Sequence, residues 1–179
     1  GLTPLQTTLL PAPVELPCPP DESGELCDRE RSVADLSARF GVQAQAAANG
    51  LNMLCSGGTP KPGSTQRCDH RVRRDAVIHG VGGHMHLLGK SSRVDLNPGT
   101  PRAQLLLDVP VFNFDDQGAR PTPAPATAKA GDRYRVTCTH DAGLRRQLPQ
   151  LRTLKPRYVV WGEGTSDEMC LGVVIWSSP

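Results

Sequence analysis

Gly131-Asp132-Arg133-Tyr134-Arg135-Val136-Thr137-Cys138 opens on a turn signal and runs into a short strand candidate that ends at a cysteine. The same alternation of turn residues with short strand candidates recurs along most of the chain. The candidates are 74–78, 84–88, 104–111, 134–139, 157–161 and 171–176, with a further one at 7–10 in the N-terminal lead. Many short strands at this spacing suit an all-β sandwich. Proline limits where such strands can run. Pro121, Pro123 and Pro125 make 121–130 a loop or sheet edge, because each proline removes a ladder donor. Pro17, Pro19 and Pro20 end the extended lead in the same way.

One region departs from this pattern. From Asp28 to Leu54 the apolar positions Val33, Leu36, Phe40, Ala44, Ala47 and Leu51 recur every three or four residues, as one buried helical face requires. Gly41 is placed to split this region in two, and Asn49-Gly50 weakens its last turns. The reading is a helical insert, about 28–54, within one domain spanning 1–179. At 179 residues the chain can bury one proper core but not two of ordinary size.

The cysteines, at 18, 27, 55, 68, 138 and 170, form an even set with no Cys-x-x-Cys pair, which reads as three disulfides rather than a zinc site. Spacing alone does not fix the connectivity. Local pairing favours Cys18 with Cys27 and Cys55 with Cys68, which would staple the helical insert at both ends. Disulfides imply an oxidising, extracytoplasmic or secreted location. The N-terminus has no basic and apolar blocks, so an export signal, or a preceding domain, would have been removed before Gly1. No apolar run approaches a membrane span. The net charge of +2 is spread over scattered arginines and only 4% of residues are aromatic, which gives nucleic-acid binding little support.

The chemistry-bearing candidates lie in Gly83-His84-Met85-His86-Leu87-Leu88-Gly89-Lys90 and in Asp167-Glu168-Met169-Cys170. In an extended strand His84 and His86 share a face while Met85 points away. Two imidazoles with a thioether suit cuprous copper, and Met169 is the third ligand candidate. Read without further context, the histidines are polar residues on a solvated strand and Met169 is core filler. His140 stands two residues beyond Cys138 on the same strand face, near the metal or capping a turn. His79, at an odd offset from His84, faces away unless Gly80, Gly82 and Gly83 allow a bulge. His70 reads as a surface residue. Asp167 and Glu168 point to opposite faces and suit supporting roles around a metal rather than a catalytic acid/base pair.

With "HMHLLGK", "AGDRYRVTC" and "GEGTSDEMC" in this order, the chain resembles the copper type II, ascorbate-dependent monooxygenases, which include the peptidylglycine and dopamine hydroxylating enzymes. The likeness runs from about Arg71 to Trp176 and concerns the second of that family's two catalytic domains. It implies a jelly-roll β-sandwich and a disulfide between Cys138 and Cys170. It further implies one copper ion on His84, His86 and Met169 that activates oxygen or peroxide for C–H hydroxylation of a small-molecule substrate. Electrons would come from ascorbate or an electron-donor partner. The family's three-histidine electron-storage site has no counterpart in this chain. Gly82 replaces the arginine that pairs with a peptide carboxylate in amidating members, and Leu171 and Val173 replace their asparagine and tyrosine, so peptide amidation is not expected. The alternative reading is a copper-binding or copper-delivery protein without turnover.

Overall fold

The computed structural model describes residues 3–179. The first strand is β1 (Gln6–Ala12) and the second the short β2 (Glu15–Leu16). The insert follows as α1 (Arg29–Phe40) and α2 (Val42–Ser56). Then come β3 (Thr65–Arg71), β4 (Ala76–His84), β5 (Gly89–Leu96), β6 (Gln104–Val109), β7 (Ala126–Ala128) and β8 (Arg133–His140). One turn of helix, α3 (Leu144–Gln147), leads to β9 (Val159–Val160) and β10 (Cys170–Ser177).

The strands form two four-stranded antiparallel sheets, ordered β1-β10-β4-β7 and β3-β8-β5-β6, with β2 and β9 as a separate small ladder. Inward residues of both sheets, among them Leu10, Val81, Val174, Val94, Leu106 and Val136, share one core, so the architecture is β-sandwich-like. The pairs β1 with β10, β3 with β8, β4 with β7 and β5 with β6 are nested in sequence. Pairing of β10 with β4 and of β8 with β5 completes the two sheets.

All three disulfides form: Cys18–Cys27, Cys55–Cys68 and Cys138–Cys170. The first two brace the helical insert and the third joins β8 to β10, one strand from each sheet. Three disulfides suit an oxidising environment. Among the described residues no helix is long and apolar enough to cross a membrane.

The helical region divides at Gly41, whose φ of 87° lies where a side chain is disfavoured. That break resets the helical phase. Val33 and Leu36 are buried as expected, but Phe40 is 46% exposed, and Ala48 and Asn52 rather than Ala47 and Leu51 face inward on α2. The strand expected over 84–88 is not one strand: His84 ends β4, residues 86–89 turn, with Gly89 N–H donating to the His86 carbonyl, and β5 begins at Gly89. The expected strand 157–161 shrinks to Val159–Val160 with a bridge from Trp161 to Glu168. Besides the two-residue β2, two longer strands had no expectation. β3 is an edge strand whose only apolar residue is Cys68, and the buried face of β5 includes Gly89 and Ser92, so neither carries a strong apolar alternation.

Candidate metal centre

The end of β4 and the start of β10 bring the two motifs together. Leu171 stands opposite His84 in the antiparallel register, and beyond the ladder His86 N–H donates to Glu168 Oε2, so the segment that carries Met169 runs past His86. Met85 is fully buried in the core, whereas His84, His86 and Met169 are half-buried and belong to the outward face. This is the separation of Met85 from its flanking histidines that strand parity predicts, and it survives although the strand ends at His84. The two imidazole rings stand edge to face, with centroids 5.3 Å apart.

Each imidazole has one nitrogen committed. His84 Nδ1 lies 2.7 Å from Gln117 Oε1, and His86 Nδ1 lies 3.0 Å from the Asp167 carbonyl oxygen. Gln117 Nε2 donates to the Phe114 carbonyl at 2.6 Å, which turns its Oε1 toward His84. A carbonyl oxygen only accepts, so both Nδ1 atoms carry the proton and both Nε2 atoms keep a lone pair. Fixing a histidine tautomer through the non-ligating nitrogen is how proteins prepare imidazole for a metal.

Gln117 reaches His84 because the segment 117–120 lies over β4. Val81 and Arg120 exchange backbone hydrogen bonds, and a Cβ on Gly82 would stand 3.3 Å from Ala119 Cα. Glycine at 82 therefore lets this cover lie close, and a side chain there would have to push Ala119 back by a few tenths of an ångström.

Glu168 fastens the other half. It is completely buried, and its carboxylate accepts from the backbone N–H of His86 at 2.8 Å, of Leu88 at 2.7 Å and of Met169 at 3.3 Å. The turn carrying His86 is thus fixed to the segment carrying Met169. His140 is also buried, with Nε2 3.1 Å from the Met169 carbonyl oxygen and 3.1 Å from Glu168 Oε2. It braces Met169 from the core side and does not join the outward pair. His79 sits at the far end of β4, where the register shifts opposite Ile175 and Trp176, and its Nε2 is bonded to Ser177 Oγ at 2.8 Å. The bulge is present, yet His79 is not brought to His84.

Asp167 contributes its carbonyl to His86 while its carboxylate turns the other way. There Arg39 of α1 forks onto it at 2.8 and 3.2 Å, Gly164 N–H donates at 3.0 Å, and Arg157 lies at 3.6 Å. Gln117 and Arg39 had no signal in the sequence, since neither shares a motif with the histidines. Among the described residues no group of three or more His, Cys, Asp or Glu side chains is arranged to hold a metal, so a site here requires the thioether. Two prepared imidazoles and a soft sulfur fit cuprous copper better than zinc or magnesium.

No protein-family model matches the chain, and no curated protein matches it.

Proposed function

We propose that His84, His86 and Met169 hold one copper ion on the outward face of the first sheet, and that the domain is a copper-dependent monooxygenase. The observation that carries this reading is the pair of imidazoles whose Nδ1 atoms are both occupied, leaving two Nε2 lone pairs near the segment that carries Met169. Copper bound there would supply one-electron chemistry toward oxygen or peroxide, with ascorbate or an electron-donor partner as reductant. The protein's part is positional: Gln117 and the Asp167 carbonyl set the tautomers, and Glu168 and His140 hold the two ligand segments in register. The nested strand pairs support a jelly-roll topology, the arrangement the sequence resemblance implies. Three disulfides support a secreted protein.

The substrate is small and is not held through a carboxylate at position 82, since Gly82 offers no guanidinium and a Cβ there would already press on Ala119 at 3.3 Å. The half-buried state of all three ligand candidates favours a second reading, in which an accessible site takes up and passes on cuprous copper without turnover.

Copper titration under ascorbate, followed by X-ray absorption on the reduced protein and on Met169→Ala, tests the site. One equivalent of copper and a sulfur scatterer that disappears in the variant is the expected outcome. Identical spectra for the two proteins would remove Met169 from the site and the reading with it. Ascorbate-driven oxygen consumption with a C–H substrate then separates monooxygenase from carrier.

A further inference from the structure

A cleft of about 670 Å³ opens at the opposite end of β10, between the edge strands β1 and β3 and remote from His84. Six residues of strand separate Trp176 from Cys170, roughly 20 Å at the usual rise. His70 closes one side by donating from Nε2 to the Pro11 carbonyl at 2.7 Å, linking the two edge strands. The volume is that of a small-molecule site rather than a packing defect, which is usually no larger than a few waters.

Its lining divides into two chemistries. Leu54 is 62% exposed and, with the indole of Trp176, supplies the apolar part of the lining. Arg71, Arg73 and Arg74 are gathered at the same cleft, and among the described residues none of them has an ion-pair or hydrogen-bond partner. Arg93, Arg102 and Arg120 are matched with Asp95, Asp132 and Asp116, whereas Arg67, Arg133 and Arg152 also stand without an ion pair among the described residues, so what distinguishes the cleft is three unpaired arginines within one four-residue stretch. The carboxylate at the rim, Asp69, is already held by Arg135 at 2.6 and 2.9 Å.

A second observation points into the same space. Tyr134 lines the cleft and is only 4% exposed, and its hydroxyl, which is not among the fully enclosed unpaired polar atoms, makes no hydrogen bond to another described residue. Burial pushes its pKa up to about 12, so it remains a neutral donor at working pH.

We propose that this cleft binds a small amphiphilic carboxylate, its apolar body on Leu54 and Trp176 and its carboxylate against Arg71, Arg73 and Arg74. Guanidinium forks match a carboxylate in charge and in planar geometry. The site is independent of the metal reading and holds whether or not copper binds at His84.

Titration of the ¹⁵N-labelled full chain with decanoate below its micelle concentration tests it, read at the Trp176 indole N–H, which donates to Thr8 Oγ1 at 2.9 Å. Trp176→Phe assigns the resonance against Trp161. Saturable movement is expected, with decanol, the same tail without the charge, binding at least tenfold more weakly. The triple variant Arg71→Gln, Arg73→Gln, Arg74→Gln should weaken decanoate at least tenfold with an unchanged Tm, since those side chains support nothing else. A motionless Trp176 signal, decanol binding as well as decanoate, or full affinity in the triple variant would each overturn the proposal.

Discussion

Glu15 is 1% exposed on β2, and four hydrogen bonds converge on its carboxylate. Arg29 of α1 forks onto it at 2.7 and 2.6 Å, Asn52 of α2 donates at 2.6 Å, and the Tyr158 hydroxyl donates at 2.8 Å. Burial, reinforced by Glu15 itself, raises the Tyr158 pKa, so the phenol stays a donor. A buried carboxylate with this many partners is costly to remove, because a guanidinium, an amide and a hydroxyl would be left unpaired. Glu15→Ala should lower unfolding free energy by about 3–5 kcal/mol, and Tyr158→Phe, which deletes one donor, by about 1–2 kcal/mol. Urea denaturation measures both, and a loss below about 1 kcal/mol for Glu15→Ala would make the network incidental. At this scale the sequence was readable where chemistry is local. Strand parity separated Met85 from His84 and His86, and the structure keeps that separation. Glu15, in a proline-rich lead, gave no sign of burial because all its partners are distant in sequence.

Elements with strong periodicity were legible: the helices on either side of Gly41, and β8 and β10 near their expected limits. Edge and polar strands were not, and β3 shows why. Its sequence Thr-Gln-Arg-Cys-Asp-His-Arg buries little, and what holds it is pairing with β8, the Cys55–Cys68 bridge and polar contacts such as that of His70. His70 reads as a surface residue in sequence, but it is half-buried and bonded across the sandwich edge to Pro11 of β1. Burial lowers its pKa below 6.5, outweighing the opposing hydrogen bond to Pro11 and the nearby Asp69. The unfolded chain therefore takes up a proton at a higher pH than the folded protein does. Its contribution is complete above about pH 6.5 and is lost as pH falls through the lower folded value. The urea midpoint should thus drop between pH 7.5 and pH 5, and His70→Gln, which keeps a donor for Pro11 but does not titrate, should flatten that part of the profile. Equal acid sensitivity in both proteins would place the effect elsewhere.

For the whole molecule, strand spacing pointed to a β-sandwich, but how the insert sits on it depends on charge pairs that no local pattern encodes. Arg39, near the end of α1, is the joint. It forks onto Asp167, which is 3% exposed, and also pairs with Asp35 at 2.8 Å, while Arg157 reaches Asp35 at 2.8 Å. Asp167 in turn gives its carbonyl to His86 Nδ1. A chain of contacts therefore runs from the insert through one aspartate to an imidazole of the proposed copper site. The insert is then part of the scaffold that sets the His86 ring, and not a decoration on the sandwich. Arg39→Met keeps the stem and removes the charge, and should cost about 2 kcal/mol of stability. Copper affinity should fall by about tenfold, the lower end of what outer partners of a metal ligand contribute. Arg31→Met is the matched control on the same helix: its partner Glu25 is exposed and touches nothing near His86, so neither stability nor copper affinity should change. Isothermal titration with copper under ascorbate, alongside thermal unfolding, reads both quantities. If Arg39→Met loses stability but binds copper as tightly as Arg31→Met does, the insert and the site share a fold without sharing a function.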